Sequence, residues 1–184
     1  VPIDLNQWHA DFVIGSCVKW LCGGPGAGFL WVSPDVLIQC EPKDVGWFSH
    51  EVPFEFDIHN FRYARDATRF LGGTPSVQPF AIATNSLATL NRVGIKQIRE
   101  HNLALSDQLL HGVSDENCVS PRDTALRGGT VVLQYPEEQL QRIAKNLQVE
   151  EVAFDLRSTG MRLSPHIYND REEIEAVRAC LAGS

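Results

Sequence analysis

The 184-residue sequence holds only four lysines, and Lys19 is the sole charge between Phe12 and Val32. An ammonium in so apolar a segment is costly to bury unless something pairs with it or its pKa falls. A lysine held as the neutral amine is a nucleophile suited to Schiff-base chemistry with a carbonyl. The alternative is a lysine whose stem lies along apolar surface while its head stays in water. Gly23, Gly24, Pro25, Gly26 and Gly28 follow it, and serve as a tight turn or, less specifically, a phosphate loop. Cys17 and Cys22 flank the lysine and read as packing thiols. Arg69, just before Gly72–Gly73–Thr74, is placed to anchor that turn, and Arg157 reads as a surface ion-pair partner or a second anion contact. His50 is equally a satisfied loop histidine or a side chain near substrate, and His166 beside Tyr168 reads as structural.

These residues need elements to position them. Asp11–Ser16 and Gly28–Ser33 are short apolar runs rich in β-formers, expected as antiparallel strands around the glycine-rich turn. Residues 41–68 mix proline, glycine, aromatic and charged side chains without a period, which predicts a long structured loop. Pro75 in a first turn with Thr74 as N-cap predicts a helix running to Gly94. A second helix is expected over Ile95–Leu110, ended by Gly112. Beyond it the pattern predicts strands at Gly129–Gln134, Val152–Leu156 and Arg162–Pro165, with helices from Pro136 and Asp170. The division expected is a first domain over 1–75, bridging helices over 76–112 and a small α+β domain over 113–184.

Composition narrows the function classes. Sixteen basic against twenty-three acidic side chains give a net charge of −7, with no basic run, which disfavours nucleic acid or an anionic membrane as partner. Apolar residues make up 43% of the chain, enough for a packed core and too many for disorder. The five cysteines lack CxxC spacing and read as free thiols in a reducing compartment, with no zinc site. Val1–Ala10 has neither a basic n-region nor an apolar h-region, and a cytoplasmic setting is expected.

Four segments carry a resemblance: ADFVIGSCVKWLCGGPGAGFLWV (10–32), GWFSHEVPFEF (46–56), RFLGGTPSV (69–77) and MRLSPHIYND (161–170). In this order they resemble the kynureninases, within the class V aminotransferase and cysteine desulfurase superfamily. The resemblance implies a fold-type I, pyridoxal 5′-phosphate-dependent α/β enzyme: part of the large domain with its mixed sheet, followed by the small α+β C-terminal domain. It implies that the chain corresponds to the C-terminal half of such a subunit, with the aspartate that pairs with the pyridine nitrogen lying upstream and the chain alone incomplete as an enzyme.

By the same resemblance Lys19 would be the Schiff-base lysine and the acid–base group at the substrate α-carbon. Trp47 would contact the cofactor phosphate region, Ser16 would match a phosphate-binding serine of the desulfurase type, and Thr74 would reach the phosphate from a partner subunit. Arg162 would hold the substrate α-carboxylate through its fork, with His50 nearby. Val18 stands where kynureninases carry a tyrosine and desulfurases a histidine. Thr74 stands where kynureninases carry an asparagine and desulfurases the threonine of Gly-Thr-Pro. The activity implied is hydrolytic C–C cleavage of a kynurenine-type amino acid by a homodimer with sites at the subunit interface. A desulfurase-like lyase or epimerase, or a non-catalytic dimerisation module, are the alternatives.

Overall fold

A computed structural model of the chain describes residues 1–182. It separates into two compact units, Ile3–Arg92 and the residues from Val93 onward together with Val1–Pro2.

In the first unit, strands β1 (Phe12–Ser16) and β2 (Gly28–Val32) pair antiparallel, with Phe12 opposite Val32 and Ser16 opposite Gly28. Alternation puts Phe12, Ile14, Leu30 and Val32 on one face and Val13, Phe29 and Trp31 on the other. Both faces are apolar, as in strands that lie inside a larger layered sheet. A short helix α1 (Pro34–Leu37) follows, then the expected long loop, which contains two single-turn 3-10 helices at Trp47–Ser49 and Ala67–Phe70. Helix α2 (Val77–Val93) closes the unit.

Thr74 is not the N-cap of α2, which begins three residues later at Val77. A helix begun at Pro75 would place Pro79 in its second turn, where the missing N–H and the ring's clash with the carbonyl four residues back break the ladder. Pro79 instead falls in the first turn of α2, where its missing N–H costs nothing. Gly94, at φ 91°, separates α2 from α3 (Ile95–Leu110), as the sequence predicts.

The second unit is a three-stranded antiparallel sheet, in the order β3 (Val131–Leu133), β5 (Gly160–Leu163), β4 (Asp155–Arg157). Helices α3, α4 (Glu137–Val149) and α5 (Arg171–Ala182) supply the rest of its core. Val131 pairs with Leu163 and Leu133 with Met161, and these four buried side chains meet Leu105, Leu109, Ile143, Leu147, Ile174 and Val177. The intervening register position joins Val132, Arg162 and Asp155, so alternation puts Arg162 on the face away from this core.

The strand expected at Gly129–Gln134 is trimmed to Val131–Leu133, and two other strands shift their starts. The run expected at Val152–Leu156 pairs only from Asp155, because its first residues finish α4: the Glu150 N–H donates to Asn146 O and the Val152 N–H to Leu147 O at 2.9 Å. Glu151 takes the left-handed conformation at φ 55° to make this stop. The strand expected from Arg162 begins at Gly160, since Ser158 and Thr159 form a two-residue turn and Arg157 pairs with Gly160.

Gly160 lies at φ 127°, and a Cβ there would stand 2.4 Å from Leu133 O. Gly160→Ala should therefore destabilise the protein by more than about 1 kcal/mol in urea denaturation. Gly128→Ala, at a position with nothing within 4 Å, should leave the midpoint unchanged.

Candidate functional site

The segment carrying Lys19 is a loop whose base is stapled. Buried Cys17 donates its N–H to Ala27 O at 3.0 Å and accepts from the Gly23 N–H at 2.7 Å. Lys19 then opens a turn, its carbonyl accepting from the Cys22 N–H at 2.8 Å, and Cys22 takes a left-handed φ of 51°. The loop rests on α2. Gly23 approaches Ala83 so closely that a Cβ would lie 3.0 Å from the alanine methyl, and the Ser86 hydroxyl donates to Cys22 O at 2.7 Å. Cys17 is the packing thiol expected of it, whereas Cys22 is exposed, because the turn points it away from this contact.

Lys19 is exposed on this turn, and among the described residues its Nζ has neither a hydrogen bond nor an ion pair. Ser16, exposed at the end of β1, accepts the Val18 N–H at 3.4 Å, and Val18 is 43% exposed. An uncommitted amine and a hydroxyl thus stand within one loop, over a glycine-rich turn. That donor set fits an aldehyde and an anionic group.

The second cluster joins two loop segments. A Cβ on Gly46 would fall 1.7 Å from Gly72 O, so only glycine lets the two backbones touch. Ser49, fully buried, seals the contact: its hydroxyl accepts the Gly46 N–H and donates to Leu71 O, both at 3.1 Å. The contact brings the segment carrying Trp47 against the one carrying Thr74. Both side chains are exposed; Trp47 meets Phe54 edge-on with ring centroids 6.3 Å apart.

His50 is buried, with Nε2 3.3 Å from Asn60 O and Nδ1 accepting the Val52 N–H at 2.9 Å. Its ring is engaged by the loop's own main chain. Arg69, in contrast, holds more than one turn. Its guanidinium, 8% exposed, donates to Ala64 O at 2.9 Å, Leu37 O at 2.6 Å and Cys40 O at 3.0 Å, and lies 5.8 Å from the Tyr63 ring centre. Glu51 bridges Arg65 at 2.7 Å and Arg62 at 3.3 Å. Hydrogen bonds from Arg65 and then Arg62 hold its carboxyl below the usual carboxylate range.

Arg162 belongs to the second unit. Its Nη1 lies 3.3 Å from Asp155 Oδ2, and Arg157 Nε reaches the same oxygen at 2.7 Å. Asp155 is the partner that sequence spacing missed; the cross-strand register that joins it to Arg162 is visible only once the hairpin turn is fixed. Among the described residues there is no group of acidic, cysteine and histidine side chains able to hold a metal ion, and no helix is long and apolar enough to cross a membrane.

Comparison with known proteins gives this geometry a family. The family model described as Aminotransferase class-V matches residues 1–177. An uncharacterised aminotransferase, YcbU, of Bacillus subtilis (strain 168) is 29% identical over 175 residues, covering 95% of this chain and 45% of its own length. A kynureninase of Shouchella clausii (strain KSM-K16) is 33% identical over 183 residues, covering 95% and 42%. The apo cysteine desulfurase of Thermococcus onnurineus NA1 superposes with a TM-score of 0.80 at 20% identity, over 95% of this chain and 47% of its own. The chain thus spans a little under half the length of the relatives it matches. Its fold is the α/β fold of the fold-type I pyridoxal-phosphate enzymes.

Replacing Arg69 by methionine leaves three inward carbonyls without their donor, and should cost about 3 kcal/mol in urea denaturation. Arg65→Met, at a side chain 89% exposed, should cost less than about 1 kcal/mol. The ion pairs of Glu51 stabilise its loop above the ordinary carboxylate pKa and are lost as pH falls through the lowered folded value. Hydrogen-exchange protection over residues 51–65 should fall in that acid range, and Glu51→Gln should abolish the acid step.

Proposed function

Because this chain belongs to the aminotransferase class-V family, whose cofactor is pyridoxal 5′-phosphate, we propose that it carries the catalytic lysine and the carboxylate clamp of a kynureninase-like enzyme. The single observation that carries this reading is Lys19: an amine with no partner among the described residues, on a stapled turn at the end of an apolar strand. Pyridoxal phosphate, when bound, supplies an electron sink for charge developing at an amino acid's α-carbon.

The chain's own residues do the remainder. Lys19 would hold the cofactor aldehyde through its Nζ and, once the substrate's amine has displaced it, would move the proton at the substrate α-carbon as a free amine. The Ser16 hydroxyl would hold the phosphate, standing in for the donor that Val18 lacks. Thr74 adds a second hydroxyl, and Trp47 packs beside the phosphate region. The Gly46–Gly72 contact keeps those two segments at a fixed spacing. Arg162 takes the substrate α-carboxylate in a bidentate fork. A homodimer, in which Trp47 and Thr74 serve the neighbouring subunit's site, is supported by the exposure of Trp47, Phe54, Phe56 and Ile58 on one loop.

The reaction proposed is hydrolytic C–C cleavage of a kynurenine-type substrate. A desulfurase-like lyase is the second reading, favoured by the hydroxyls of Ser16 and Thr74. Anthranilate release from kynurenine against sulfide release from cysteine separates the two.

Borohydride reduction of the full-length protein, followed by peptide mass spectrometry, should give a pyridoxyl adduct on Lys19. Lys19→Ala should abolish the adduct and lower the rate by at least about 10²-fold. An unmodified Lys19 in folded, cofactor-supplemented protein would sink the assignment.

A further inference from the structure

Arg162 does not stand alone on its face of the sheet. Asp155 is directly opposite it across the β4–β5 ladder, and Arg157 lies two residues along the same strand, on the same face. Opposite Arg157 is Gly160, which offers no side chain to pack against. Arg157 folds along its own strand instead, and its Nε reaches Asp155 Oδ2 at 2.7 Å. Arg162 touches the same oxygen only through Nη1 and at 3.3 Å. Among the described residues, the Nε and Nη2 groups of Arg162 donate to nothing. That pair of donors is one edge of the guanidinium, with the spacing of a carboxylate's two oxygens.

We propose that Arg157 is a positioning residue for Arg162: it engages and neutralises Asp155, so that the neighbouring guanidinium keeps its paired donors for an incoming carboxylate. The trio carries a net charge of about +1, so it attracts an anion where an isolated Arg162–Asp155 pair would not. Without Arg157, Asp155 swings fully onto Arg162 and competes with any carboxylate ligand as an internal one. Asp155 has two functions in this arrangement. Its shared oxygen fixes the direction of the Arg162 fork, and its charge has to be offset for that fork to work. The proposal rests on Arg162 being the carboxylate clamp, and extends that reading to the residues that keep the clamp open.

The test is a double-mutant cycle on the full-length holoenzyme. Dissociation constants are measured for L-alanine and for ethylamine, its counterpart without a carboxylate, from the visible absorbance of the bound cofactor. Arg157→Gln should weaken L-alanine about fivefold, in the range that surface charge pairs command, and leave ethylamine unchanged. Adding Asp155→Asn to Arg157→Gln should return L-alanine to within about twofold of the parent, because the competing carboxylate is gone. An unchanged L-alanine affinity in Arg157→Gln would overturn the proposal. So would a double variant as weak as the single one, or an equal loss for ethylamine, which marks a general distortion of the sheet. Arg162→Gln is measured alongside: if it leaves L-alanine binding intact, the clamp itself is misassigned, an outcome distinct from a failure of Arg157 alone.

Discussion

One buried guanidinium fixes most of the loop architecture of the first unit. The apolar core there is small, with Cys17, Ala27 and Ala83 buried together and Leu21 beside them. Dispersion and hydrophobic burial on that scale cannot order the stretch between α1 and α2. Arg69 does so by gathering three carbonyls from residues far apart in the chain, while its face lies over Tyr63. A cation is well suited to the task, because carbonyl oxygens need donors and arginine is donor only. The second unit repeats the device on one of its own loops: Arg99 donates to Thr124 O, Arg127 O and Gly128 O. Where apolar packing runs thin, this chain ties loops down with arginine.

What was legible in the sequence follows from the range of the forces involved. β1 and β2 were readable because strand propensity and glycine turn chemistry are both local. So was α3, whose buried Leu105 and Leu109 mark a helical face and whose flanking Gly94 and Gly112 take positive φ. The misplaced boundaries arose where two local signals competed. Val152–Phe154 has the composition of a strand, yet hydrogen bonding to the end of α4 claims its backbone first. Thr74 and Pro75 have the types of a cap and a first residue, yet a helix begun there would carry Pro79 into its second turn, where a missing N–H and the ring break the ladder.

The candidate site divides along the same line. Lys19 stood out by type alone, as a lone charge in an apolar run, and Arg162 entered through its motif. Asp155 and the shared oxygen could not be read, because they depend on which residue faces which across a ladder. The burial of His50 is likewise a long-range outcome, set by the main chain of Asn60, ten positions away. Residue chemistry is local information, whereas the state of that chemistry, whether open, paired or spent on structure, is a property of the fold.

The position of Arg162 within β5 has a consequence for how this protein can go wrong. Met161 and Leu163 point into the core and Arg162 points out, so a slip of one residue would bury a guanidinium and expose two apolar side chains. A one-residue slip would therefore hide the arginine rather than present it. In this strand the charge acts as a register lock, since only a shift by an even number of residues would keep it in water.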